Sequence, residues 1–89
     1  MLYDLRYQAL RKALVDARVG AGLTQLAMAQ RLQRAQSYVS KVETGGRYLD
    51  VLDFLAWCEV VQANPCQILQ QVQSAEAIEW LQQPNLPPR

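Results

Sequence analysis

The side chains best suited to recognition chemistry in this 89-residue sequence lie between positions 34 and 47, RAQSYVSKVETGGR. Gln36, Ser37, Ser40, Lys41 and Thr44 form a polar side of this stretch, opposite Val39 and Val42. Such a set has donors and acceptors but little charge. A glutamine can pair with the N6 and N7 edge of adenine, a lysine can donate to O6 or N7 of guanine, and a serine can donate or accept. The serines are also short, so the backbone that carries them can approach base pairs closely. Other chemistries lack their parts. Histidine is absent, and the two cysteines, Cys58 and Cys66, stand eight positions apart. That inventory removes the common zinc sites and Ser-His or Cys-His catalysis. Without a glycine-rich phosphate loop or a secluded carboxylate pair, neither an enzyme nor a metal or cofactor is expected.

The elements that must position those side chains can be read from periodicity and punctuation. Leu10, Leu14, Ala17 and Ala21 recur at helical spacing, which predicts a first helix from about residue 4 to 20, stopped by Gly20 and Gly22. Thr24 is a candidate N-cap for a second helix running to about 33, with Met28, Ala29 and Leu32 inward. The polar stretch then forms a third helix ending at Thr44, where Gly45 or Gly46 supplies the positive φ of a C-cap. Asp50 can cap a fourth helix over 51–63. Asn64 followed by Pro65 is the strongest start signal, opening a fifth helix to about Val72 with Ile68 and Leu69 in the core. Ser74 can open a short sixth helix bearing Ile78, Trp80 and Leu81. The closing residues 84–89 read as an extended proline-rich tail. The fold class is therefore all-α, one domain over 1–83 with the two-helix unit at 24–44.

Net charge is only +1, but its distribution is uneven. Residues 1–48 hold eight basic residues against three acidic ones, while residues 49–89 hold one against five. The first half attracts a polyanion and the second does not. The N-terminus has charges every few residues and reads as neither signal peptide nor membrane span. Both cysteines are expected as small core residues in a reducing cytosol.

Two short helices joined by a tight break have the layout of a helix-turn-helix. With GLTQLAMAQRL, QSYVSKVETG and NPCQIL at their spacings, residues 10–72 resemble the DNA-binding domain of the Xre/Cro-type regulators of bacteria and phages. The resemblance implies a five-helix, repressor-like bundle that binds double-stranded operator DNA; a homodimer is expected from the apolar surplus of the fourth helix. Gln36, Ser37 and Lys41 fall on base-contacting positions, and Tyr38 and Ser40 on positions used for bases or backbone. Gln25, Arg47 and Tyr48 fall on backbone-contacting positions. Arg18 and Glu43 match a pair that joins helix one to helix three inside the domain. At the turn the sequence departs from the family: Gln33 stands where glycine is favoured, Arg34 where an apolar residue is, and Ala35 where a capping serine is. Arg31 and Arg34 have no spacing that assigns them to phosphate.

The fourth helix is apolar on nearly every side and needs partners in more than one direction. Val51, Leu55, Cys58 and Val61 suit its internal face. Leu52, Trp57 and Val60, with Ile78, Trp80 and Leu81, are then left for a dimer or partner-protein surface, unless the sixth helix folds back over them. The expected protein is a cytoplasmic, nucleoid-associated repressor. The rival is an interaction module, an antitoxin or adaptor, whose apolar C-terminal half holds a partner protein.

Overall fold

A computed structural model describes the backbone of residues 5–82 and the side-chain surroundings of residues 5–74. Among them the chain forms five helices: α1 (Leu5–Gly20), α2 (Gln25–Leu32), α3 (Gln36–Thr44), α4 (Val51–Val61) and α5 (Pro65–Gln82). Each boundary has a local cause. The Thr24 hydroxyl accepts from the Ala27 N–H at 3.0 Å and starts α2. The Asp50 carboxylate accepts from the Asp53 N–H at 2.8 Å and starts α4. Asn64 accepts from Cys66 N–H at 2.9 Å and precedes proline at the first position of α5. Gly45, at φ 86°, ends α3, and the Gly46 N–H returns to the Lys41 carbonyl at 2.8 Å.

α1 packs along α5 on one side and against α3 and α4 on the other, and α2 rests on α3 and α4. Leu14, Met28, Ala29, Val39, Val42, Phe54, Trp57, Cys58 and Ile68 form the core. Trp57 is fully buried at the crossing of α1 and α4, and its indole N–H donates to the Leu14 carbonyl at 3.3 Å. The tryptophan thus contributes its whole ring to the core without leaving its polar atom unpaired.

Four expectations are corrected. The segment from Ser74 opens no separate helix, because α5 runs unbroken from Pro65 to Gln82. α4 is turned so that Phe54, Trp57 and Cys58 face inward, while Val51 is 73% exposed and Leu55 is exposed too. Leu69 is exposed beside buried Ile68. Cys66 is exposed, so only Cys58 is a core cysteine. Residues 84–89 lie outside the described residues, as do the side chains of Ile78, Trp80 and Leu81. Among the described residues no helix is long and apolar enough to cross a membrane.

Candidate nucleic-acid interface

α3 is held in place from three directions. Val39 and Val42 insert into the core with no exposed surface, fixing which side of the helix faces out. At its C-terminal end, Glu43 is the centre of a polar hub. Its Oε2 accepts from Arg18 Nε at 2.6 Å, and its Oε1 accepts from Arg18 Nη2 at 3.0 Å and from Gln25 Nε2 at 3.0 Å. Arg18 Nη1 also donates to the Leu23 carbonyl at 2.7 Å. One bidentate pair, 12% and 5% exposed, therefore ties α1, the loop after it, α2 and α3 together.

The third restraint comes from further along α1. Arg11 Nη1 donates to the Glu43 carbonyl at 3.3 Å, placing a cation at the negative end of the helix dipole. It lies so close over Gly45 that a Cβ there would stand 2.9 Å from that nitrogen. The Tyr7 hydroxyl accepts from the Leu49 N–H at 2.6 Å, and the Tyr7 ring meets the Tyr48 ring edge-on, with centroids 4.8 Å apart. Burial pushes the Tyr7 phenol above its ordinary range, opposed by that backbone N–H. The loop leaving α3 is thus set by the first turns of α1.

The turn into α3 stays tight. Gln33 adopts the left-handed conformation at φ 58°, with its N–H reaching the Ala29 and Gln30 carbonyls, and the Arg34 N–H closes on Ala29 at 3.0 Å. This C-cap is the one that glycine usually provides, here formed by glutamine at about 1 kcal/mol. Ala35 gives no side-chain cap to α3.

With the helix so fixed, Gln36, Ser37 and Lys41 are exposed together on its outer side, and Ser40 is partly covered. Gln25 is half-buried, bound to Glu43 through its amide. Arg47 and Tyr48 are exposed just beyond the C-cap. Two candidates are corrected by burial. Tyr38 is 7% exposed and packs inward, so it is not free to meet a base or a phosphate. Its ring instead carries the guanidinium groups of Arg34 and Arg47, 4.5 and 4.9 Å from the centroid. Burial chiefly, and the Asp53 carboxylate next, raise the Tyr38 phenol above its ordinary range. Trp57 belongs to the core and is removed from the proposed apolar surface. Val60 is half-buried against that core, and Leu52 alone of the three is open, at 76% exposure.

Residues that no spacing pointed to also shape the site. Arg34 donates from Nη2 to Asp53 Oδ1 at 3.0 Å, a contact across 19 positions. Arg11 and Tyr7 act across 32 and 42 positions. Only the basic bias of the first half hinted at the two arginines.

Two short helices joined by a tight turn, the second with an exposed polar side, have the architecture of a helix-turn-helix protein. A solved structure of an XRE-family like protein from Pseudomonas syringae pv. tomato is similar to the chain. It is 43% identical over 78% of this chain and 84% of that one, with a TM-score of 0.73. The clp gene regulator ClgR from Corynebacterium glutamicum shares the fold, with a TM-score of 0.73 at 23% identity, covering 88% of this chain and 83% of that one. No family model and no curated protein matches the sequence. The chain belongs to the XRE family of helix-turn-helix transcriptional regulators.

Proposed function

We propose that the protein is a repressor that binds double-stranded operator DNA sequence-specifically, as a homodimer on an inverted repeat. The observation that carries this reading is the joint exposure of Gln36, Ser37 and Lys41 on a helix locked by the Arg18–Glu43 pair. A fixed helix offers their donors and acceptors at constant spacing, as reading base edges in a major groove requires. Arg47, Tyr48 and the second amide N–H of Gln25 hold the phosphates on either side. Ser40 lies beside them. A two-fold dimer would set two such helices ~34 Å apart, one DNA turn. Val51, Leu52 and Leu55, exposed together on α4, support a self-associating surface.

The test is selection from randomised duplexes. Lys41→Ala should relax choice at one base pair by about 1–3 kcal/mol, whereas Arg47→Ala should weaken all sequences alike. Equal loss of selectivity in both variants would refute the assignment. The same α4 face supports a second reading, an antitoxin or adaptor that holds a partner protein there. Sedimentation of the wild type and of Leu52→Asp separates the two. A dimer that Leu52→Asp splits supports self-association, and a monomer in both supports the partner protein.

A further inference from the structure

The turn before α3 and the loop after it converge on Tyr38. Arg34 and Arg47 lie over the same ring, so their guanidinium carbons are no further apart than 4.5 and 4.9 Å laid end to end. Arg47 makes no ion pair among the described residues. Arg34 is paired with Asp53, whose carboxylate charge also raises the Tyr38 phenol. The pair is graded in exposure: the Arg34 side chain is 40% open and that of Asp53 18%. An approaching polyanion therefore meets the cation first, with a carboxylate fixed 3.0 Å behind it. A phosphate that took Arg34 would either displace that carboxylate or sit against its charge, and each offsets the attraction.

We propose that Asp53 is an internal counterion that silences Arg34, so that of the two arginines on the Tyr38 ring only Arg47 draws the protein to DNA. The inference rests on the DNA-binding reading above. Cations at the rim of α3 add affinity for every sequence alike, because phosphates carry no base information. By neutralising one of them, Asp53 lowers the sequence-independent hold without touching Gln36, Ser37 or Lys41. Tyr38 keeps Arg34 in place when Asp53 is gone, so the unmasked cation stays at the rim.

The experiment titrates wild type, Asp53→Asn, Arg34→Gln/Asp53→Asn and Asp16→Asn against a labelled, mixed-sequence duplex across a salt series. Asp16 pairs with Lys12 on exposed α1 and controls for a gain of net charge away from the rim. Asp53→Asn is expected to bind roughly three- to tenfold tighter at low salt, with a slope of log affinity against log salt steeper by about 0.9. The double variant is expected to return to wild-type affinity and slope, and Asp16→Asn to stay within about twofold of wild type. If Asp53→Asn binds no tighter, or Asp16→Asn gains as much, the inference is overturned. A double variant weaker than wild type also overturns it, making Arg34 a working phosphate contact that Asp53 merely orients. Asp53→Ser, equally neutral, stands in if the Asn variant fails to melt cooperatively. Wild type that binds no duplex at any salt refutes the DNA-binding reading first and takes this inference with it.

Discussion

Replacing Arg18 by methionine tests how much of the domain depends on one ion pair. The substitution keeps the aliphatic length but leaves the Glu43 carboxylate, 5% exposed, with Gln25 as its remaining side-chain donor. Breaking a buried pair from one side costs about 3–5 kcal/mol, since a charge is left in the interior without its partner. Domains of this kind hold about 5–15 kcal/mol in total, so the loss is a large share of the whole. The exposed Lys12–Asp16 pair is an internal control: its 2.8 Å contact is almost as short, but its side chains are 79% and 63% open. Burial separates the two, and Lys12→Met should cost no more than about 0.5 kcal/mol. Urea unfolding at neutral pH, with an unchanged m-value, measures both. In thermal melts a loss of 3 kcal/mol lowers the midpoint by at least about 12 °C. Arg18→Met/Glu43→Leu should recover to within about 1 kcal/mol of wild type, because two apolar groups need no partner. Arg18→Met costing less than 1 kcal/mol, or a double variant as poor as the single, would refute the account of the hub.

Gly45→Ala should cost about 1–2 kcal/mol in a melt, because the site is left-handed and the new methyl meets Arg11, whereas Gly20→Ala, with nothing within 4 Å, should gain about 0.4–1 kcal/mol. Tyr7 and Tyr38 hold their phenol protons to higher pH folded than unfolded, so above pH 10 the unfolded chain carries fewer protons and stability falls as pH rises. Urea melts across that range should show the fall, and Tyr7→Phe should flatten it. A thiol reagent should label exposed Cys66 quickly and leave Cys58 untouched until unfolding, since burial both shields its thiol and raises it.

The starts of α2, α4 and α5 were legible because each depends on one nearby side chain: Thr24, Asp50 and Asn64 act within three positions. The phase of α4 was not. Periodicity locates an inner face by contrast, and in VLDFLAWCEVV almost every residue is apolar, so Val51 and Trp57 look interchangeable. Tertiary contacts decide that Trp57 goes in, where its indole N–H meets the Leu14 carbonyl 43 positions away. The break expected near Ser74 failed for a related reason: serine can cap a helix or sit within one, and no glycine or proline enforced a stop. The exposed set Gln36, Ser37 and Lys41 could be read from two inward valines. The fate of Tyr38 could not, because Arg34, Arg47 and Asp53 come from a turn, a loop and a distant helix.

The reach of α1 bears on how this fold could be cut or grafted. Arg11, Arg18 and Tyr7 grip the end of α3 and the chain beyond it, from 25 to 42 positions away. The α2–α3 unit is therefore no autonomous cassette. Excised, or transplanted into a host without an equivalent of α1, it loses what orients its outgoing strand of chain, and its side chains no longer share a common bearing.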